Sequence, residues 1–146
     1  MRSLYIILLS CFFSLPVFSQ NTVSFINETK DEITVNVLVY AKNEKIASVD
    51  AKLYAVNTLL FRGISNSSYN RPMVGTNEEE IKNKHEKYFD SFYKNRYMTF
   101  ITSAVAKSKL AKDETKRKCM LFEITIQKHT LKMDLENNGV IRKFGF

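Results

Sequence analysis

The clearest pattern of hydrophobic and polar positions is an alternation over residues 32–40. Ile33 and every second residue up to Val39 are apolar and β-branched, and the residues between them point the other way. Because successive side chains of a strand lie on opposite faces, this period of two predicts a half-buried strand. A shorter strand is predicted just before it, over residues 21–25.

The period changes to that of a helix over residues 46–61. Large apolar residues recur there at spacings of four and three, which one helix face requires: Val49, Leu53, Val56 and Leu60. Small residues on neighbouring positions would permit close packing on a sheet: Ala47, Ala51 and Ala55. Gly63 follows the last periodic residue and predicts the end of the helix.

A second helix is predicted from Thr76 to about residue 95, after a loop over residues 63–75. Thr76 and Glu79 have the spacing of a capping box, and the glutamates of the first turn suit the positive end of the helix dipole. An aromatic series follows at helical spacing, and its main interpretation is a face that covers the sheet: Tyr88, Phe89, Phe92 and Tyr93.

The C-terminal third returns to an extended pattern over residues 97–106 and 119–127, and the charged connector between them predicts an antiparallel hairpin. A short helix is predicted over residues 131–137, with a hairpin through Asn138 and Gly139 as the open alternative. These elements predict an α+β fold in β-α-α-β-β-α order, with a mostly antiparallel sheet of three to four strands and helices packed on one face.

The N-terminus predicts export. One arginine, an apolar run and small residues before position 20 follow the order of a signal peptide over residues 1–19, which leaves a single domain over residues 20–146. The run is shorter than the roughly 20 residues that a transmembrane helix needs, and no such segment is predicted in the mature chain. We therefore expect a periplasmic or secreted protein. Acylation and anchoring at Cys11, after a lipobox-like Leu8-Leu9-Ser10, is the less favoured alternative because apolar residues follow.

The net charge restricts the classes of partner that the protein could bind, and the cysteine content restricts its disulfides. The formal net charge is +7, and loss of Arg2 with the leader lowers it to +6. Export disfavours nucleic acid and favours an envelope protein, a peptide or an anionic envelope component; the sequence predicts no oligomeric state. Only Cys119 remains in the mature chain, so no intramolecular disulfide is possible, and its apolar strand predicts burial.

No catalytic residue, metal site or cofactor is predicted. The sequence has no Cys-x-x-Cys, no histidine pair at helical spacing and no glycine-rich phosphate loop. The rival hypothesis is a small periplasmic hydrolase or transferase whose site assembles from dispersed residues: His85, Asp90, Cys119 and His129.

Binding residues are predicted in two places. The first is a partly exposed aromatic groove that would accept a peptide, lipid or glycan: Tyr69, Arg71, Pro72, Tyr88 and Phe89. The second is the basic connector, which is either a solvated hairpin tip or a surface that attracts anionic lipid or polysaccharide: Lys116, Arg117 and Lys118.

Four segments together carry a family resemblance: Ala51-x-x-x-Ala55 running into residues 59–64, then residues 71–74, 88–92 and 139–146. They are similar to exported Bacteroidetes proteins of uncharacterised function, and the order of elements loosely resembles envelope modules of the Lpp20 and FlgT type. The resemblance implies a location in the bacterial envelope and supplies no catalytic position. The leading expectation is a non-enzymatic envelope binding or interaction domain; a secreted effector is a further alternative.

Overall fold

A five-stranded antiparallel sheet carries the fold. The computed structural model describes residues 20–143, so the predicted signal peptide, Cys11 and the last three residues lie outside the described part. The four longer strands are β1 (Thr22–Glu28), β2 (Ile33–Tyr40), β3 (Ile101–Ala106) and β5 (Lys118–Ile126), in the spatial order β1-β2-β5-β3. The two-residue strand β4 (Ala111–Lys112) pairs with the beginning of β5. The predicted α+β class and antiparallel sheet are confirmed.

One face of the sheet is buried and forms the floor of the core. Val35 lies opposite Ile124 and Val37 lies opposite Phe122 in the central β2–β5 pair, and all four side chains are buried. The alternate positions are half-buried on the other face, where the Thr34 and Thr125 hydroxyls are 3.0 Å apart. The alternation predicted for β2 is confirmed, and β1 is longer than predicted.

The first helix, α1 (Glu44–Phe61), crosses the buried face of the sheet. Asn43 caps it, since its side chain accepts a hydrogen bond of 2.9 Å from the Ile46 N–H. The predicted apolar face is wrong at Val49, which is 45% exposed. The small residues instead face the sheet and are completely buried: Ala47, Ala51 and Ala55. Small side chains let the helix backbone approach the strands closely. The close packing of helix on sheet stabilises the fold more than burial of the larger Val49 side chain would.

The predicted second helix is two helices, α2 (Glu78–Lys84) and α3 (Glu86–Lys94). His85 separates them, with a φ of −119° and a ψ of 38° that leave the helical region. The capping box predicted at Thr76 is wrong. Asn77 is the cap: its side chain accepts from the Glu80 N–H and donates to the Glu80 carboxylate at 2.6 Å. The aromatic face is confirmed as core, since Phe89 and Phe92 are buried.

The extended pattern predicted over residues 97–106 is only partly present. A 3-10 helix (Arg96–Phe100) precedes β3, because Tyr97 and Phe100 turn inward beside Phe92. The hairpin of β3 and β5 is confirmed, with β4 inside its charged connector. Cys119 is half-buried rather than buried, because it lies on the open face opposite Tyr40.

The C-terminal helix α4 (Lys128–Asn137) confirms the helix over the hairpin alternative, although it begins three residues earlier than predicted. Leu131 and Leu135 are completely buried against the core. None of the helices between residues 20 and 143 combines the length and apolar character that a bilayer crossing requires.

Candidate functional site

Antiparallel pairing brings the end of β2 and the beginning of β5 to one corner of the sheet. Tyr40 lies opposite Cys119, and the Ala41 N–H donates a 3.1 Å hydrogen bond to the Lys118 carbonyl. Lys42 and Arg117, which flank these paired residues, therefore reach the same corner. We call this surface the basic corner and define it by four basic side chains and two tyrosines: Lys42, Arg62, Arg117 and Lys118, with Tyr40 and Tyr54.

A hydrogen-bonded turn positions Arg117. The Asp113 carboxylate accepts from the Thr115 N–H at 2.8 Å, the Thr115 hydroxyl at 2.7 Å and the Arg117 N–H at 3.2 Å. Lys116 takes a left-handed φ of 63°, which reverses the chain inside the turn. The Thr115 hydroxyl, with further donors that include Tyr40, holds the pKa of Asp113 below its ordinary value. The turn thus fixes the backbone from which the Arg117 side chain starts.

The Arg117 side chain folds back over the ring of Tyr40. The guanidinium carbon lies 4.5 Å from the ring centroid, a distance typical of a cation–π contact. A guanidinium is planar and carries its N–H donors around its rim, so a ring beneath it fixes the plane in which these donors lie. This arrangement orients a positive, multi-donor group at the surface.

Helix α1 supplies the opposite wall of the corner. The Tyr54 hydroxyl donates to the Asn21 carbonyl at 2.8 Å and accepts from Arg62 Nη1 at 3.1 Å. The Asn21 side chain accepts from the Tyr40 N–H at 3.0 Å. The segment before β1 therefore ties the end of β2 to the last turns of α1, and Arg62 is held beside Tyr54.

Two shallow cavities flank the contact between Tyr40 and Arg117, and both residues line each of them. The strand-end cavity has a volume of about 370 Å³ and is also lined by Ala41, Lys42 and Lys118. The helix-side cavity has a volume of about 420 Å³ and is also lined by Gln20, Asn21, Tyr54 and Arg62. No carboxylate is among these lining residues, so both cavities present positive charge and hydrogen-bond donors.

The electrostatics of the basic corner favour an anion. Within residues 20–143, neither Lys42 nor Lys118 forms an ion pair, whereas Lys82, Lys107 and Lys128 are each paired with a glutamate. All four basic side chains of the corner are exposed. Ammonium and guanidinium groups bind carboxylates, sulfates and phosphates by charge-assisted hydrogen bonds. The corner can therefore hold anionic groups without first breaking an internal lysine ion pair.

The basic connector predicted from the sequence contributes part of this site. Arg117 and Lys118 line the strand-end cavity, and Lys116 is exposed in the adjacent turn. Sequence reasoning missed the remaining residues of the corner: Tyr40, Lys42, Tyr54 and Arg62. The only local signal is that the alternation of β2 ends with an aromatic residue followed closely by a lysine. Pairing of β2 with β5 brings Tyr40 and Lys42 to the connector, and hydrogen bonds through Asn21 hold the Tyr54–Arg62 pair beside them.

The residues of the predicted aromatic groove occupy two environments. Tyr69 is half-buried under Lys128, whose ammonium lies 5.3 Å from the ring centroid and 3.3 Å from the Glu28 carboxylate. Arg71 is exposed and Pro72 is half-buried in the same loop. Backbone hydrogen bonds of 3.1 and 2.9 Å, from Met73 to Leu59 and from Val74 to Leu60, hold this loop on the end of α1.

Tyr88 and Phe89 belong to the aromatic cluster of α3. Phe89 is only 3% exposed, and the centroid of its ring lies 5.8 Å from that of the Phe61 ring. The Tyr88 hydroxyl donates to Asp134 at 2.7 Å, and Arg96 also pairs with this carboxylate. Burial raises the pKa of Tyr88, and the hydrogen bond to Asp134 raises it further. These contacts join α3 to α4 and account for both rings structurally.

The dispersed residues of the rival enzyme hypothesis lie on separate elements. Cys119 is at the beginning of β5, and His129 is in α4, beyond the far end of that strand. The stretch of strand from Cys119 to Ile126 alone spans about 23 Å. His85 is the junction of α2 and α3, and Asp90 is exposed on α3. Across residues 20–143, no group of three or more histidine, cysteine or acidic side chains could hold a metal ion.

The resemblance to exported Bacteroidetes proteins stays a prediction that rests on the four segments named above. No family model, curated protein or solved structure matches this chain.

Proposed function

We propose that the protein is an exported, non-enzymatic domain that binds an anionic component of the cell envelope at the basic corner. The observation that carries the proposal is the pair of cavities around Tyr40 and Arg117, which are lined by four basic residues and by no carboxylate. The signal-peptide pattern of residues 1–19 supports export. The recognised chemistry is a carboxylate, sulfate or phosphate group on a saccharide or a lipid headgroup.

The contacts within the corner favour binding over catalysis. Its side chains are positive or neutral, and the adjacent Asp113 carboxylate accepts hydrogen bonds from its own turn and from Tyr40. A general base needs an acceptor within reach of the group that it deprotonates. A preorganised cation beside shallow cavities instead suits reversible binding of an anionic group.

The proposal is tested with the exported chain, residues 20–146, and an Arg117→Gln variant. One arm measures affinity for an acidic polysaccharide by calorimetry; a second measures sedimentation with vesicles of phosphatidylglycerol against vesicles of phosphatidylcholine. Hydrogen bonds to charged groups contribute about 1.5–3 kcal/mol, so the variant should lose roughly tenfold or more in affinity for the anionic probe that binds.

Lys30→Gln is the matched control, because Lys30 is an exposed lysine in the turn at the opposite end of β2. It removes the same charge and should leave affinity nearly unchanged. Equal losses for the two variants would show that net charge alone attracts the ligand and would refute a site at the basic corner. Undiminished binding by Arg117→Gln would refute it as well.

A further inference from the structure

The two cavities of the basic corner share one wall. Arg117 and Tyr40 line both, while Lys42 and Lys118 belong only to the strand-end cavity and Arg62 belongs only to the helix-side cavity. A ligand with one anionic group would occupy a single side of this wall. A ligand with two linked anionic groups could place one on each side and pass over the guanidinium of Arg117.

We infer that the ligand is a linear acidic polysaccharide that places one anionic group in each cavity. This inference rests on the proposed function and assigns its ligand class. Linking two groups makes the second contact intramolecular, and this raises affinity without any new residue. The shared Arg117 lies between the two cavities, where it would contact the segment that joins the anionic groups.

The lining residues favour a saccharide over a lipid surface. Apart from Ala41, the two cavities are lined by side chains with hydroxyl, amide or cationic groups. Such groups hydrogen-bond the hydroxyls of a sugar, whereas an acyl chain requires apolar walls. No leucine, isoleucine, valine, phenylalanine or methionine is among the residues that line either cavity.

The same residues disfavour a single-stranded nucleic acid. Proteins that bind such strands without sequence preference stack successive bases on the faces of aromatic side chains. Here the guanidinium of Arg117 lies over the Tyr40 ring, and Arg62 lies 5.6 Å from the centroid of the Tyr54 ring. Each tyrosine of the corner thus already has a cation against its ring.

The test compares galacturonic acid with its linear tetramer as probes for the exported chain, residues 20–146. The tetramer should bind at least about tenfold more tightly than the monomer. Lys118→Gln and Arg62→Gln, which each remove a cation from one cavity, should each abolish most of this gain. Lys30→Gln should preserve it. Circular dichroism and the urea midpoint of each variant establish that the fold is retained.

Equal affinity for monomer and tetramer would overturn the inference. So would a tetramer gain that only one of the two cavity variants reduces, because the ligand would then use one cavity. Tighter binding of a thymidine oligonucleotide or of anionic vesicles than of the tetramer would overturn the assignment to a polysaccharide. In each of these cases, a loss of anion binding in Arg117→Gln but not in Lys30→Gln would still support the proposed function.

Discussion

Substitution of Gly63 by alanine should destabilise the domain far more than the same substitution at Gly139. Both glycines follow a helix and have positive φ angles, 82° at Gly63 and 69° at Gly139. An added Cβ at Gly63 would lie 2.7 Å from the Asn70 carbonyl oxygen and 2.8 Å from the Arg71 carbonyl carbon. At Gly139 it would meet no atom within 4 Å. The pair therefore separates backbone strain from steric overlap.

The expected magnitudes follow from these contacts. A left-handed backbone costs alanine about 1–2 kcal/mol, partly offset by the lower entropy of its unfolded chain. This is all that Gly139→Ala should experience, so its net cost should be at most about 1.6 kcal/mol. At Gly63 the overlap is with backbone, which no rotamer change relieves, and overpacking adds about 1–3 kcal/mol. We expect a total loss of about 2–4 kcal/mol in the free energy of unfolding for Gly63→Ala.

Urea unfolding followed by circular dichroism measures this difference. With a denaturant slope of about 1–3 kcal/mol per molar, Gly63→Ala should lower the midpoint by roughly 1 M or more, and Gly139→Ala by much less. Equal midpoints for the two variants would refute the close packing of residues 70–71 against the end of α1. This packing holds the loop of Arg71 and Pro72 in place.

Three further predictions concern the core and the ion pair of the buried Lys128 with Glu28. Burial alone would raise the pKa of Glu28, but the hydrogen bonds from Ser68 and the ion pair with Lys128 outweigh it and lower the pKa. Since the pKa of Glu28 is lower in the folded chain than in the unfolded chain, its stabilisation is present above the unfolded pKa and is lost as the pH falls through the folded pKa. The urea midpoint of Glu28→Gln should therefore fall less than that of wild type when the pH is lowered. Ala51→Leu should cost about 1–3 kcal/mol by overpacking, whereas Val49→Leu should change stability by less than about 0.5 kcal/mol. Phe92→Ala should cost about 3–5 kcal/mol, because its ring is fully buried in the aromatic cluster.

Each of these predictions has a contradicting outcome. Parallel loss of stability between neutral and acidic pH in wild type and Glu28→Gln would exclude a pH contribution from that carboxylate. A smaller loss for Ala51→Leu than for Val49→Leu in urea unfolding would reinstate the face predicted from the sequence. Thermal unfolding of Phe92→Ala within a degree or two of wild type would contradict burial of the ring.

The central pair of strands was predictable because both strands obey a simple period. In β2 and β5 one face is buried, so apolar and polar positions alternate and identify the strands directly. The buried face of α1 was not predictable from its large apolar residues. The helix packs so closely on the sheet that the small Ala51 faces the strands, while Val49 is exposed. The break at His85 has no glycine or proline to announce it.

Only the residues of the candidate site that are neighbours in the sequence were predictable. The run of basic residues predicted Arg117 and Lys118 as binding residues, since a high density of charge is visible in the sequence. Tyr40 and Arg62 join them through strand pairing and through the hydrogen bonds of Asn21, which link segments far apart along the chain. Spacing along the chain carries no signal for such a meeting.

We propose that the basic corner is the surface at which this protein binds an anionic ligand. Backbone amide chemical shifts, recorded while the galacturonic acid tetramer is titrated into the chain of residues 20–146, test this proposal most directly. We expect saturable shifts that cluster at Asn21, at residues 40–42 and at residues 113–118, and that disappear in Arg117→Gln. Shifts centred on residues 69–72 and 88–89, with residues 113–118 unaffected, would contradict it and would favour the aromatic loop as the binding surface.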